Sequence, residues 1–233
     1  FFSSNRNPDW EYEAIERDIY FISIGDGKLL HITEQSGGES MPVVSPDGKY
    51  LAYVFDDGRK IPYRNKILKY IILDDSTDKS LTENLDRSVS NIKWSSDSKG
   101  IYFTYDDQGN RKVAYTTLKG KFKTVVDSLG GNSLGRPYLS GSYTVSKKNL
   151  VAYTHGTTLR PADVAVSDQK EIRILTSLNE DLLSNRILGT THEIKYASSF
   201  DGAEIQGWYI TPPGYDPKKK YPLILEIHGG PHS

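Results

Sequence analysis

The chain has 233 residues, of which 36% are hydrophobic and 25% are charged, and its formal net charge is −1. The balance of 29 basic and 30 acidic side chains argues against a nucleic acid as the main partner, because neutralising a phosphate backbone requires a basic excess. The absence of cysteine excludes disulfides and thiol catalysis, and no apolar run is long enough to span a membrane.

The N-terminal segment, FFSSNRNPDW, has no charged region followed by an apolar core, so no signal peptide is predicted. The first residue is not Met, and we expect the chain to be a piece of a longer protein. The compartment therefore stays open between cytoplasmic and periplasmic or secreted.

The middle of the chain is a weak but regular repeat. Similar tetrads begin at Leu51 (LAYV), Ile101 (IYFT) and Val151 (VAYT), at a spacing of 50 residues. SPDGK precedes the first tetrad, SSDSK precedes the second, and a degenerate SKKN precedes the third. A polar turn and two further β-rich runs follow each tetrad, so each unit is predicted to form four short strands.

Four strands in about 50 residues, repeated, are typical of β-propeller blades. An earlier half-unit, Ile19 to Glu34, matches only the last two strands of a blade. The sequence therefore predicts a mainly β fold with about three and a half four-stranded blades. An antiparallel sandwich is the alternative, and the repeat favours the propeller because its register does not slip.

The SPDGK segment is predicted to be a turn between two strands. Pro46 presets φ, Asp47 caps the turn, and Gly48 supplies an unusual backbone angle. By the same reasoning Asp47, Asp57 and Asp97 are predicted to form turns and to have no catalytic role.

After Thr176 the periodicity changes. The run 178–188 is compatible with one or two helical turns, and two alternating runs around Phe200-Asp201-Gly202 predict a hairpin. A loop rich in proline leads to a predicted buried strand, Leu223 to Ile227, that runs into His228-Gly229-Gly230. The predicted division is propeller blades over 1–176, a connector over 177–191, and the truncated start of an α/β-hydrolase domain over 192–233.

Two stretches resemble a known family. SPDGKYLAY resembles the TolB-like propeller repeat, and SSFDGAEIQGWYITPPGYDPKKKYPLILEIHGGPHS resembles the entry to the catalytic domain of the prolyl oligopeptidase family. The most similar branch is that of acylaminoacyl peptidases and dipeptidyl aminopeptidases. The resemblance implies a serine peptidase that hydrolyses short or N-terminally blocked peptides, with a propeller that restricts access and with no cofactor or metal.

A strand followed by His-Gly-Gly is how an α/β-hydrolase builds one wall of its oxyanion hole. By analogy with the family, the backbone N–H of Gly230 donates to the oxyanion, Gly229 forms the loop, and His228 supports it. The nucleophile, the acid and the base are expected beyond Ser233, which predicts that the chain alone is inactive. The remainder of its own catalytic domain and propeller is then its expected partner.

One literal Gly-x-Ser-x-Gly occurs, Gly131 to Gly135, with Ser133 at its centre. We reject Ser133 as the nucleophile because Pro137 argues against the helix that must follow, and because the motif precedes the Gly-Gly wall. The histidines show no Ser-plus-carboxylate arrangement and no metal-ligand spacing with nearby acids; they include His31, His155, His192 and His232. Three loop arginines, Arg64, Arg136 and Arg160, are compatible with facing a peptide carboxylate, but an exposed loop arginine is more often merely solvated, and no role is assigned to them.

Two other functions are compatible with these residues. A TolB-like module that binds a protein without chemistry explains SPDGK but leaves the hairpin and HGGP without a purpose. A serine esterase with an appended propeller shares the oxyanion wall. Peptide specificity stays open, and a homo-oligomer is compatible with the sequence.

Overall fold

The computed structural model describes residues 1–58, 64–131 and 141–226. In this part of the chain the strands form five antiparallel sheets that follow one another in sequence. The first sheet contains β1 (Phe2–Ser4), β2 (Asp18–Ile22) and β3 (Leu29–His31). Blade 1 contains β4 (Gly38–Val44), β5 (Tyr50–Asp56), β6 (Ile67–Ile72) and β7 (Thr77–Ser80). Blade 2 contains β8 (Val89–Trp94), β9 (Gly100–Asp107), β10 (Asn110–Thr117) and β11 (Phe122–Val126).

Blade 3 contains β12 (Tyr143–Val145), β13 (Val151–Thr157), β14 (Arg160–Ser167) and β15 (Ile172–Ile174). The single described helix, α1 (Glu180–Leu183), comes next. The tail hairpin consists of β16 (Thr190–Ala197) and β17 (Glu204–Thr211).

The three four-stranded sheets confirm the predicted blades. In each of them, strands that are consecutive in sequence are neighbours in the sheet. The repeated tetrads lie in the second strands, where Leu51, Ile101 and Val151 are fully buried. One apolar cluster joins blades 1 and 2, and a second joins blades 2 and 3. A sandwich would instead enclose one core between two sheets, so the propeller interpretation is the correct one.

Hydrogen bonds between blades repeat the spacing of the sequence. The Trp94 indole N–H donates to the Val43 carbonyl at 2.8 Å, and Ser96 Oγ donates to the carbonyl of Lys147 at 2.8 Å. The Tyr143 hydroxyl donates to the carbonyl of Asn91 in the same way. The partners are 51 or 52 residues apart. Each blade therefore places its contact groups opposite those of the next.

The SPDGK turn connects β4 to β5, as predicted. Asp47 Oδ1 accepts hydrogen bonds from Ser45 Oγ at 2.6 Å and from the Lys49 N–H at 3.2 Å. These bonds favour the charged carboxylate and lower the pKa of Asp47, chiefly through Ser45. Gly48 has a φ of 74°, which glycine adopts without a steric penalty. Asp97 repeats the same bonds in blade 2, and both carboxylates are turn formers.

The first sheet contains one strand more than the sequence predicted. The half-unit Ile19 to Glu34 forms β2 and β3, but β1 pairs with β2 on the other side. The prediction of a two-strand half-blade was therefore incomplete. Only three residues form β1, and a polar segment separates it from β2, so it carries no readable periodicity.

The tail agrees with the prediction in part. A single helical turn and the hairpin are formed as expected. The predicted buried strand is wrong for its described part: residues 221–226 are not a strand, and Leu223, Ile224 and Leu225 are 86, 92 and 74% exposed. A strand is stabilised by pairing its backbone groups, and no described strand lies beside this run.

In the described chain, no helix has the length and apolar character needed to cross a membrane. Blade 3 ends at Ile174 and the hairpin begins at Thr190. The division of the chain at 176 and 191 stays a prediction.

Candidate functional site

The predicted oxyanion residues His228, Gly229 and Gly230 lie outside the described residues. The rejected serine, Ser133, and Arg136 lie outside them as well. The structure describes the segments that precede the predicted site in the sequence, the tail hairpin and the loop after it, and the end of blade 2 that the hairpin contacts.

One face of the tail hairpin is apolar and open to solvent. The register places His192 opposite Tyr209, and Tyr196 opposite Ile205, on this face. The rings of His192 and Tyr209 stack at 4.7 Å. Ile194, Tyr196, Ile205 and Tyr209 are between 38 and 53% exposed. We call these five side chains, with His192 among them, the apolar hairpin face.

The opposite face is polar and contacts blade 2. Lys195 Nζ pairs with Glu204 at 3.0 Å, and Gln206 donates to Glu193 at 2.7 Å. On this face the Trp208 ring lies against the β9–β10 turn, so close that a Cβ on Gly109 would stand 2.6 Å from the ring. Glycine at 109, with φ of 75°, therefore permits both the turn and the contact. The hairpin thus lies against the end of the blades where the second and third strands are joined.

A cavity of about 720 Å³ opens at this same end. It is bordered by the β9–β10 turn, the β13–β14 turn and the segment 128–131. Arg111 lines it and makes two hydrogen bonds of 2.8 Å with the carboxylate of Asp106. Arg160 lines it from blade 3 and donates to Glu180 of α1 at 2.9 Å. We call this space the blade 2–3 cavity.

Beside the cavity the fold brings together a serine and a histidine that the sequence did not predict to meet. Ser128 Oγ lies 3.0 Å from His155 Nδ1. The register places Asp163 opposite His155, but Asp163 Oδ1 accepts from Thr176 Oγ1 at 2.8 Å and from the N–H of Leu178 at 2.9 Å. These bonds, chiefly that from Leu178, lower the pKa of Asp163. The carboxylate anchors the connector and does not orient the imidazole.

Ser128 and His155 therefore do not form a catalytic triad with Asp163. In a triad one ring nitrogen takes the serine proton while the other is held by a carboxylate. Within the described chain, His155 makes no ion pair with a carboxylate. The residues are 27 positions apart, Ser128 in the segment after β11 and His155 on β13, and no local sequence signal connects them.

The other candidates are placed as follows. His31 Nε2 lies 3.0 Å from Asp18, and His192 Nε2 lies 3.3 Å from Thr211 Oγ1. Arg64 pairs with Asp57. Over residues 1–58, 64–131 and 141–226, no group of three or more His, Cys, Asp or Glu side chains is arranged to hold a metal ion.

No model of a known protein family matches the chain. The chain is 28% identical over 222 residues to dipeptidyl-peptidase 5 of Porphyromonas gingivalis, which covers 93% of this chain and 31% of that protein. It is also 28% identical over 204 residues to dipeptidyl-peptidase 5 of Aspergillus fumigatus, covering 84% of this chain and 27% of the relative. This chain is similar in sequence to part of dipeptidyl-peptidase 5 from both organisms. The resemblance to the prolyl oligopeptidase family that the sequence predicts is thereby confirmed.

Solved structures agree with the fold of this chain. The acylaminoacyl peptidase of Pyrococcus horikoshii superposes with a TM-score of 0.68 at 21% identity, over 89% of this chain and 30% of that one. The β-propeller domain of the Trilobed protease from Pyrococcus furiosus gives a TM-score of 0.54 at 21% identity, over 73% of this chain and 46% of that one. The chain spans about a third of the length of the curated relatives it matches.

Proposed function

We propose that this chain is part of a serine peptidase that hydrolyses short or N-terminally blocked peptides through an acyl-enzyme, with the propeller restricting access. The observation that supports this most is the extent of the similarity. It covers 93% of the chain, so both the blades and the tail have counterparts in dipeptidyl-peptidase 5. A propeller module alone would leave the tail without a counterpart.

The predicted oxyanion wall has a defined role in this reaction. When a serine oxygen attacks the peptide carbonyl carbon, the carbonyl oxygen becomes negatively charged, and backbone N–H groups stabilise it. The N–H of Gly230 is the proposed donor, with Gly229 giving the loop its close backbone approach and His228 supporting it. The serine, the acid and the base of the triad are proposed to come from residues outside this chain, as is the second N–H donor.

Exposed apolar surface on the tail favours the presence of a catalytic domain that packs over it. The apolar hairpin face and the exposed run at Leu223, Ile224 and Leu225 present apolar area to solvent. Exposed contiguous apolar patches are typical of surfaces that pack against another element. We propose that the remainder of the α/β-hydrolase domain packs here. The run from Leu223 then becomes a strand, because a neighbouring strand supplies its hydrogen bonds.

The test uses a fluorophosphonate probe, which labels an activated serine. The purified 233-residue chain is expected to show no labelling and no release of dipeptides from chromogenic peptide substrates. The longest natural protein that contains this chain is expected to show both. Labelling of the 233-residue chain that is lost on Ser133→Ala would overturn the rejection of Ser133.

The same experiment separates the alternatives. A natural protein that hydrolyses p-nitrophenyl esters but no peptide is a serine esterase. One that is not labelled at all is a binding module, and the proposed function is then wrong.

A further inference from the structure

The blade 2–3 cavity lies at the end of the propeller that faces the tail. Gly109, which borders the cavity, is the residue on which Trp208 of the hairpin rests. Glu180 of α1, in the connector, holds Arg160 of the cavity wall. Both the connector and the hairpin therefore contact the cavity rim, and both precede the predicted oxyanion residues in the sequence.

Main chain forms part of the cavity wall. A Cβ on Gly130 would lie 2.5 Å from the backbone N of Gly156, and a Cβ on Gly156 would lie 2.9 Å from Gly130 Cα. The two backbones are thus in contact, and the Gly130 N–H donates to the Thr154 carbonyl at 2.8 Å. This packing fixes the segment 128–131 against blade 3 and keeps large side chains out of this part of the wall.

The cavity wall contains two guanidinium groups, and a carboxylate holds each of them in place. Arg111 uses two of its five N–H groups on Asp106, which leaves three for a ligand. Arg160 is held by Glu180 at 2.9 Å, and its Nε lies 3.8 Å from Asp163. Each guanidinium charge is matched by a carboxylate, Asp106 for Arg111 and Glu180 for Arg160, so what the lining offers a ligand is the N–H groups left over and not an excess of positive charge.

Held guanidiniums are suited to bind carboxylates. The planar fork of an arginine matches the two oxygens of a carboxylate, and charge-assisted hydrogen bonds of this kind are stronger than neutral ones. Because Asp106 and Glu180 already order these side chains, less rotamer freedom is lost when a ligand binds. The cavity volume of about 720 Å³ lies in the range of small-ligand pockets and accommodates a few peptide residues.

We propose that the blade 2–3 cavity binds the C-terminal carboxylate of a short peptide, with Arg111 and Arg160 as the donors. That the ligand is a peptide rests on the proposed function. The carboxylate preference rests on the two arginines alone. A site of this kind, at the tail side of the propeller, selects peptides by the distance between their C-terminus and the bond to be cleaved.

The test measures binding without turnover, by titration calorimetry and chemical-shift changes on the 233-residue chain. Three probes are compared: Ala-Ala-Ala-Ala, its C-terminal amide, and its N-acetyl derivative with a free carboxylate. The acid and the N-acetyl acid are expected to bind equally, and the amide about tenfold or more weakly, because the amide has lost the charge-assisted bonds. Arg160→Gln and Arg111→Gln are each expected to reduce this preference for the acid.

Arg173→Gln is the matched control, since Arg173 lies on the exposed strand β15 and does not line the cavity. It is expected to leave the acid-to-amide ratio unchanged. Thermal unfolding of each variant shows whether it folds, and the ratio of the two affinities does not depend on the folded fraction. Equal binding of acid and amide, loss of binding only on N-acetylation, or no binding by any probe would each overturn the proposal. Hydrolysis does not enter the measurement, so a failure here is distinguishable from a failure of the proposed function.

Discussion

The blades and the tail have similar strands, but they differ in what covers their apolar side chains. In the blades, Leu51, Ile101 and Val151 are fully buried, because the preceding sheet places a matching surface against them. In the tail, Ile224 and the apolar hairpin face are open to solvent. A repeat thus encodes both a strand and the surface that covers it, whereas the described chain leaves the apolar hairpin face uncovered. Removal of side chains from the two regions is the most direct way to test this difference.

The largest expected effect comes from truncating a side chain in the core between blades. Ile101→Ala removes fully buried apolar volume, and we expect it to lower the free energy of unfolding by about 2–5 kcal/mol. Ile224→Ala, at a residue that is 92% exposed, is expected to change it by less than about 0.5 kcal/mol. Urea denaturation of both variants provides the measurement. Equal costs would show that the tail is as well packed as the blades.

The blades also differ from the tail in containing a fully buried carboxyl group, that of Glu39. Glu39 is fully buried where β4 packs against the first sheet, and its Oε2 accepts from Thr33 Oγ1 at 3.3 Å. Its Oε1 has no hydrogen-bond partner among the described residues. Burial, with the nearby Asp18 carboxylate, raises the pKa of Glu39 to about 8, while Lys69 on β6 acts in the opposite direction.

This raised pKa predicts how stability depends on pH. Between about pH 4.5 and pH 8 the folded state keeps a proton on Glu39 that the unfolded state has lost, so the folded state loses stability as pH rises through this window. The loss is at most about 1.4 kcal/mol per pH unit, and it ends above about pH 8. Glu39→Gln is expected to remove this loss, so its stability relative to wild type rises from pH 5 to pH 8.

Glu204→Gln is the matched control in the tail, where the Glu204 side chain is 65% exposed and pairs with Lys195. An exposed pair of this kind contributes little, so no comparable rise is expected. Urea unfolding at pH 5 and pH 8 measures both variants against wild type. If Glu39→Gln shows the same stability difference from wild type at both pH values, Glu39 is ionised in the folded state.

Two tryptophans allow a smaller, matched comparison. Trp94 is 8% exposed and donates to the Val43 carbonyl between blades, so Trp94→Phe removes a buried hydrogen bond. We expect it to cost about 1–2 kcal/mol. Trp208 is 48% exposed on the hairpin, and Trp208→Phe is expected to cost less than about 0.5 kcal/mol. Thermal unfolding followed by circular dichroism measures both. A larger cost at Trp208 would show that its contact with Gly109 holds the hairpin to blade 2 firmly.

The blades could be predicted from the sequence because their contacts follow the repeat. A threonine hydroxyl closes the first sheet and blades 1 and 3 in the same way: Thr33, Thr82 and Thr176 each follow the last strand and accept, at 2.8 Å, a backbone N–H from the strand before it. These threonines follow Ile or Leu in the sequence, a signal that marks the last strand of a blade. The spacing of the repeat was therefore sufficient to predict the three blades, but not β1.

The candidate site could not be predicted in this way, because its contacts join distant positions without a repeat. Trp208 meets Gly109, and Arg160 meets Glu180, only after the tail returns to the ends of the blades. The strand expected from Leu223 failed for a related reason. An apolar run specifies a strand only where a neighbour supplies its hydrogen bonds, and the described chain places none there.

The smallest expected effect comes from two glycine substitutions, which test whether the hairpin unfolds together with the blades. Gly48 in blade 1 and Gly202 in the hairpin both have φ of 74° and open space around the Cβ position. Alanine at either position should cost about 1 kcal/mol of local strain, because an L side chain disfavours this backbone region. Gly48→Ala is expected to shift unfolding of the blades by that amount, since its turn unfolds together with β4 and β5. Gly202→Ala is expected to leave blade unfolding unchanged, because few contacts join the hairpin to the blades.

The reporter for this last comparison is far-UV circular dichroism, to which the strands of the blades contribute most and which leaves Trp208 in place against Gly109. Urea midpoints of the two alanine variants are compared with that of the unaltered chain. A midpoint shift from Gly202→Ala equal to that from Gly48→Ala would mean that the hairpin and the blades unfold as one unit. The tail would then be part of the propeller's cooperative structure, and its exposed apolar face would not require a separate domain to order it.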